Sequence, residues 1–352
     1  MALLIPLQTS LAAPLAKSAV QPLPAREQRQ ITRALNGLRQ LKRWPNPSPE
    51  SGPLQLSPCI VLFGEKAQWL LGCEYIPKGL QQVPGQRFMG KPVYWTSQAL
   101  YLPHVRVNYP LIKTTVVGQG LLYMPQVPAS KPYRDQPWFL IQRQQDLKRY
   151  HPAFKNITDV EWTSLFVHEA FHMLMQLPEP GIAAQMALAG KPQGHIPYVD
   201  QEDLKRLYRE TPGLQRMLFE EHKLLSTALH KNLSPDEATQ ALKDWWQLYQ
   251  GRIQRLGAGF KGTYGHWDAF WTFLEGSARY VESRFLLEQL QKNRYSDLPA
   301  VNHSIAAHYY YSIGMHLAFL MDRIDPQWPA KVYQHPRWLV GLVEERVHEA
   351  LD

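Results

Sequence analysis

The stretch NITDVEWTSLFVHEAFHMLMQLPEPG, residues 156–181, carries the signals that decide the fold of the second half of the chain. Thr158 is followed three residues later by Glu161, the pattern of a capping box, which predicts that a helix begins here. The proline- and glycine-containing segment PEPG ends it. The pattern therefore predicts one helix over 159–177 with two histidines well inside it.

These two histidines, His168 and His172, are four residues apart. At this spacing the side chains lie one turn apart on the same helix face, so both imidazoles can reach one metal ion at about 2.0–2.1 Å. Glu169 is rotated by about 100° from His168, away from the ligand position. It is placed to hold a metal-bound water and accept its proton as a general base. The surrounding residues are mostly apolar, and burying three polar side chains among them would be costly without a metal.

The tetrapeptide VHEA occurs a second time, at 347–350. The position four residues after His348 is Asp352, so this copy lacks the second histidine. It is interpreted as a charged helix end.

A catalytic zinc ion usually has three protein ligands and one open position. The residues after His172, MLMQLPEP, lack the glycine and the third histidine of a metzincin. The best candidate for the third ligand is Glu275, in FWTFLEGSARYVES. Its small neighbours Gly276 and Ala278 would let this later helix approach the first one closely.

The combination of HExxH on one helix and Glu-Gly-x-Ala on a later helix resembles the gluzincins, the thermolysin-like clan of zinc metallopeptidases, over residues 158–321. The resemblance implies that Glu275 is the third ligand of a single Zn²⁺ ion and that the substrate is a peptide or protein. The clan has an acidic residue four positions after this ligand, where this chain has Arg279. Glu282, two turns after Glu275, is a candidate to support a zinc-bound histidine instead. A surface pair between Arg279 and Glu282 is the alternative.

A third helix contains Tyr311-Ser-Ile-Gly314, which is similar to the Tyr-x-x-Gly element of the clan's aminopeptidase branch. The resemblance implies that the hydroxyl of Tyr311 stabilises the oxyanion. His308, three residues earlier on the same face, is the alternative donor, and core packing is the alternative for either residue. The Gly-x-Met-Glu-Asn type segment that binds the free amine in that branch has no counterpart before His168, so aminopeptidase specificity is not supported.

Strand-like patterns fill residues 58–145 and helical patterns fill 146–352. This order predicts an α+β fold, with a mostly antiparallel or mixed sheet followed by a mainly helical, zincin-like half, and 58–352 as one catalytic unit. The proline-rich residues 1–57 are interpreted as a targeting or linker segment with one helical stretch near 27–43. The expected strands are CIVLF, WLLGC, PVYW, LPHVRV, KTTVVG, GLLYM and WFLIQ, and the expected helices lie near 159–177, 202–230, 235–256, 267–291, 303–324 and 336–350.

Two further expectations concern positions around this site. In the clan the substrate lies along an edge strand of the sheet, which here would be GLLYM or WFLIQ. Two acidic residues outside the motif have simpler interpretations: Glu221 belongs to a solvated helix face, and Asp268 caps the start of a helix.

The composition excludes some classes of protein. The 352 residues are 45% hydrophobic, and the 38 basic residues are interleaved with 30 acidic ones to give a net charge of +8. Because no block of like charges occurs, nucleic acid is not an expected partner. No apolar run approaches the roughly 20 residues that span a bilayer, so an integral membrane protein is not expected. No sequence feature indicates an oligomeric state.

Two cysteines, Cys59 and Cys73, flank an apolar run, a turn and a second apolar run, the pattern of a hairpin. With the turn centred on Lys66, the cysteines lie opposite each other, and a disulfide would point to an oxidising compartment. Two buried free thiols are the alternative. The N-terminus is apolar but lacks the positive charge of a good signal peptide. The expected location is periplasmic or secreted, with the cytoplasm as the alternative.

The leading hypothesis is a zinc-dependent peptidase in which His168, His172 and Glu275 hold one ion and Glu169 is the general base. A non-catalytic, metal-containing binding protein and a zinc hydrolase of a non-peptide amide are the alternatives.

Overall fold

The computed structural model describes residues 19–39, 58–98, 100–102, 105–107, 118–120, 138–186, 199–256, 258–299 and 309–350. The strands are β1 (Cys59–Phe63), β2 (Gln68–Leu71), β3 (Gln81–Phe88), β4 (Lys91–Thr96), β5 (Leu100–Leu102), β6 (Val105–Val107), β7 (Gly118–Gly120) and β8 (Trp138–Gln142). The helices are α1 (Ala25–Arg39), α2 (Gln144–Tyr150), α3 (Asp159–Phe171), α4 (Pro180–Met186), α5 (Gln201–Glu210), α6 (Leu214–Leu229), α7 (Pro235–Arg255), α8 (Ala258–Gln289), α9 (Tyr309–Ile324), α10 (Trp328–Lys331) and α11 (Trp338–Glu349). Strands in the first part and helices in the second confirm the predicted α+β class.

The main sheet has the strand order β3-β4-β2-β1-β8-β7. β1 and β8 run parallel, and the other neighbours run antiparallel, which confirms the predicted mixed sheet. The predicted strand WFLIQ is β8, which lies between β1 and β7. Its prediction as an edge strand is therefore wrong, and β7 lies at that end of the described sheet. Of the predicted strands KTTVVG and GLLYM, only Gly118 and Gly120 are among the described residues.

β1 and β2 form the predicted hairpin, with Ile60 opposite Leu71. This register is one residue away from the predicted one, in which Cys59 faces Cys73. Gly72 has a φ of +71°, a left-handed conformation that favours glycine and interrupts the extended backbone directly after β2. Beyond it, Cys73 forms a disulfide with Cys59 across a Cα–Cα distance of 4.3 Å. Of the two alternatives for these cysteines, the disulfide is the one present, although the register that suggested it is wrong.

Both faces of the sheet are covered. One face, with Ile60, Leu62 and Trp69, packs on the main core, which continues through the helices. The other face covers a smaller cluster formed by Cys59, Val61, Phe63, Leu70, Cys73, Trp138 and Leu140. The disulfide therefore holds the smaller cluster together, whereas α3 and α8 belong to the main core.

The helix α1 lies within the segment 1–57, for which the sequence suggested a targeting or linker role. Its apolar residues Ile31 and Leu35 are buried in the main core, and α1 packs against α3. Arg143, next to α2, donates to Glu27 at 3.2 Å. This part of the segment is therefore an integral piece of the folded unit.

The helical half broadly follows the predicted pattern, and the differences include the short helices α2, α4 and α10, which were not predicted. The predicted helix 202–230 is split into α5 and α6, because Gly213 between them has a φ of +84°. The helix α8 begins at Ala258, well before the predicted start at 267, so Asp268 lies inside a helix and is not a cap. None of the helices within the described residues is long and apolar enough to cross a membrane.

The disulfide gives a prediction for stability. Its cysteines are 14 residues apart, and closing a loop of about 15 residues stabilises a fold by about 3 kcal/mol. We expect the double substitution Cys59→Ala/Cys73→Ala to lower the free energy of unfolding by about this amount in urea denaturation. Dithiothreitol should lower the stability of the native chain and leave that of the double variant unchanged. A native chain equally stable with and without the reductant would contradict the prediction.

Candidate metal centre

The helix that carries the two histidines begins as the sequence predicts. The hydroxyl of Thr158 accepts the backbone N–H of Glu161 at 3.2 Å, and the Glu161 carboxylate accepts the N–H of Thr158 at 2.7 Å, which completes the capping box. After α3 the chain continues as a π-turn over His172–Gln176, closed by the N–H of Leu177 on the carbonyl of His172 at 2.9 Å. Such turns within helices are frequent at functional sites.

Three atoms that can bind a metal meet between α3 and α8. Nε2 of His168 and Nε2 of His172 are 3.1 Å apart. Oε2 of Glu275 lies 3.2 Å from Nε2 of His172 and 3.5 Å from Nε2 of His168. Ligands at about 2.0–2.1 Å from a tetrahedral ion are roughly 3.3–3.4 Å from each other. The three atoms therefore already have the spacing of three corners of such a coordination shell.

Gly276 does not have the position that the sequence suggested. Gly276 faces α9 and not α3: a Cβ placed on it would lie 2.4 Å from Cα of Gly314. The small residue after the candidate ligand thus allows contact between the backbones of α8 and α9. Glu275, one position earlier, is left to face α3.

The second nitrogen of His168 faces the carboxylate of Glu282, with Nδ1 and Oε2 3.2 Å apart. The distance is that of an ion pair, although Nδ1 makes no well-aligned hydrogen bond. Burial opposes protonation of His168, but Glu275 and Glu282 outweigh it and raise the pKa of His168 to about 10. Glu282 therefore lies beside one of the two histidines, as its predicted role requires.

The alternative pairing of Glu282 with Arg279 is also present. NH1 of Arg279 lies 2.7 Å from both carboxylate oxygens. Burial would raise the pKa of Glu282, but Arg279 and His168 lower it to about 2. One buried carboxylate thus serves both partners, and Arg279 keeps it ionised beside the histidine.

Glu275 is held from its other side by two residues that the sequence analysis did not single out. Nε2 of Gln201, the first residue of α5, donates to Oε1 of Glu275 at 2.5 Å. The hydroxyl of Tyr310 donates to Oε1 of Gln201 at 3.0 Å. In the sequence, only the position of Tyr310 beside Tyr311 could have indicated a role for it. Nothing in the sequence distinguishes Gln201 from any other glutamine at the start of a helix. Together they leave Oε2 of Glu275 to face the histidines.

Tyr311 and Glu169 complete the described part of the site, whereas His308 lies outside the described residues. The ring of Tyr311 is stacked on that of His168, with centroids 5.6 Å apart and planes at 10°. Burial raises the pKa of Tyr311, and the nearby carboxylate of Glu275 adds to the effect. Burial also raises the pKa of Glu169, while the two histidines lower it. Both predicted catalytic side chains thus lie within electrostatic range of the cluster.

Two acidic residues with simple sequence interpretations have a different role. Glu221 and Asp268 are fully buried on either side of Arg252, which donates to both carboxylates. The expected solvated face and helix cap are therefore wrong at these positions, because pairing across three helices cannot be seen in a local pattern. The hydroxyl of Tyr309 donates to Asp268 at 2.6 Å, which ties the start of α9 to this ion pair.

The contact between Gly276 and Gly314 gives a second prediction. We expect Gly276→Ala to lower the free energy of unfolding by at least about 1–3 kcal/mol, because the new methyl group overlaps backbone that cannot move aside. Gly251→Ala in α7 is the matched control, since its methyl group would lie 3.5 Å from the flexible end of Met217. That variant should gain about 0.5–1 kcal/mol from helix propensity. Equal stabilities of the two variants in urea denaturation would contradict the close contact.

Comparison of the chain with protein-family models, with curated proteins and with solved structures finds no match. The function must therefore be argued from the residues of the site.

Proposed function

We propose that the chain is a zinc-dependent peptidase with a single metal ion. The observation that carries the proposal is the cluster of Nε2 of His168, Nε2 of His172 and Oε2 of Glu275, whose ligand atoms all lie within 4.8 Å of one another. Two imidazoles and one carboxylate are a ligand set typical of catalytic zinc. Three protein ligands leave a fourth position open, which is the arrangement of a catalytic and not a structural site.

A zinc ion bound there would supply a Lewis acid that polarises a carbonyl group and acidifies water. Glu169 follows the first ligand directly and is half-buried beside the cluster. In the proposed reaction its carboxylate takes the proton from the attacking water and passes it to the leaving amine. The hydroxyl of Tyr311 donates to the carbonyl oxygen as negative charge develops there.

An extended peptide is the substrate that best suits the surroundings of α3. β7 lies at the end of the described sheet and contacts α3. In the proposed binding mode, the substrate backbone adds to that side of the sheet as a further strand, which brings the peptide bond to be cleaved to the metal site.

The disulfide between Cys59 and Cys73 supports a periplasmic or secreted location for this activity, because disulfides persist in oxidising compartments.

The metal ligands can be tested directly. We expect the purified native chain to hold about one zinc ion, measured by mass spectrometry of the metal after dialysis. Glu275→Ala should lose affinity by more than the roughly 10–100-fold that removal of a supporting residue causes. Glu288→Ala, an exposed glutamate on the same helix, is the matched control and should keep its zinc. Full zinc content in Glu275→Ala would exclude this residue as a ligand.

The role of Glu169 separates a peptidase from a metal-containing binding protein. We expect Glu169→Gln to keep its zinc and to lower kcat on fluorescence-quenched casein by about 10²–10⁴-fold, because the proton acceptor is lost. Glu288→Gln should leave kcat unchanged. Native protein that holds zinc but cleaves neither casein nor a mixed peptide library would favour the binding protein. Equal kcat for native and Glu169→Gln would remove Glu169 from the mechanism.

A further inference from the structure

Gln176, in the π-turn at the end of the histidine helix, is fully buried and uses both ends of its amide. Its Nε2 donates to the backbone carbonyl of Leu274 at 2.9 Å and to Oγ of Ser277 at 2.8 Å. The hydroxyl of Ser277 donates in turn to the carbonyl of Phe273 at 2.7 Å, so its oxygen is an acceptor for the amide. Two acceptors thus fix which end of the amide points to α8.

The other end of the same amide faces the second histidine. Oε1 of Gln176 lies 2.5 Å from Nδ1 of His172. Because Oε1 is an acceptor only, Nδ1 must carry the hydrogen in this contact. Neutral His172 then has its lone pair on Nε2, the atom that lies 3.2 Å from Oε2 of Glu275. The amide therefore selects the tautomer in which His172 can bind a metal through Nε2.

The two acceptors on α8 flank the third candidate ligand. Leu274 directly precedes Glu275, and Ser277 follows it by two positions. One buried side chain thus links the ring of His172 to a backbone carbonyl before Glu275 and to a side-chain hydroxyl after it. Gln176 thereby orients the ring of His172 and connects it to the segment of α8 that contains Glu275.

We propose that Gln176 is a positioning residue of the metal site, which fixes the tautomer of His172 and couples its ring to the helix segment that carries Glu275. The inference rests on the proposed metal site and adds a residue to it. A contact of this kind typically changes metal affinity by about 10–100-fold when it is removed.

The test compares two substitutions at this position in the full-length chain. Gln176→Leu removes the acceptor for His172 and the donor to α8. Gln176→Glu removes the donor and keeps an acceptor for Nδ1. We expect Gln176→Leu to weaken zinc binding by about 10–100-fold, measured by competition with a chromophoric chelator. Gln176→Glu should recover most of that loss, because the histidine tautomer is again fixed by an acceptor.

A matched control is available at Gln142, which is also fully buried and whose Oε1 lies 3.1 Å from Nε2 of His151. Gln142→Leu removes a glutamine–histidine contact away from the candidate ligands and should leave zinc affinity unchanged. Urea denaturation of each variant shows whether it is folded. In the zinc-loaded native chain, where the metal takes the Nε2 lone pair, ¹⁵N NMR of a histidine-labelled sample should show His172 protonated at Nδ1.

The outcomes separate this inference from the proposed function. If the native protein does not bind zinc, the proposed metal site itself is wrong. Native protein that binds zinc, with equal affinity in Gln176→Leu, would overturn only the role of Gln176. Equal losses in the Leu and Glu variants would overturn its role in setting the tautomer, because both variants lose the donor to α8 and only the Glu variant keeps the acceptor for His172.

Discussion

Gly276 and Gly314 let the backbones of α8 and α9 touch, and the rest of the candidate site depends on that contact. With Gly276 packed against α9, the neighbouring face of α8 is directed toward α3, where Glu275 meets the histidines. Interiors are packed densely enough that a shift in one helix pair is passed on to the next. The distances between the residues of the candidate site therefore depend on the contact between Gly276 and Gly314, which have no side chains.

The buried polar groups fall into two kinds. The buried guanidinium of Arg252 pairs with the carboxylates of Glu221 and Asp268, so the charges are balanced by protein groups. In the cluster of His168, His172 and Glu275, each residue has a partner on the side that faces away from the other two. These partners are Glu282, Gln176 and Gln201, respectively. The first arrangement has the character of a structural ion pair. The second supports the proposed metal site.

The sequence could predict what depends on local spacing. Residues four apart on a helix share a face, so His168 and His172 followed from the pattern alone. Glu275 followed from a resemblance between short motifs. Gln176 and Gln201 did not follow, because a glutamine becomes distinctive only through the groups that the tertiary fold places around its amide.

The differences in the sheet have equally local reasons. The strand β3 contains Pro84 and Gly85, residues that argue against a strand, and the ladder with β4 shifts register between Gln82 and Arg87. The hairpin register differs from the predicted one by one residue because the turn has four residues, 64–67, and so centres between Glu65 and Lys66 instead of on Lys66. At the start of α9, three consecutive tyrosines leave the helix about 100° apart. Tyr309 reaches Asp268, Tyr310 reaches Gln201, and Tyr311 covers His168. A rotation of α9 about its own axis would disturb all three contacts at once. Together they therefore fix the orientation of this helix, and with it the position of the Tyr311 ring over His168.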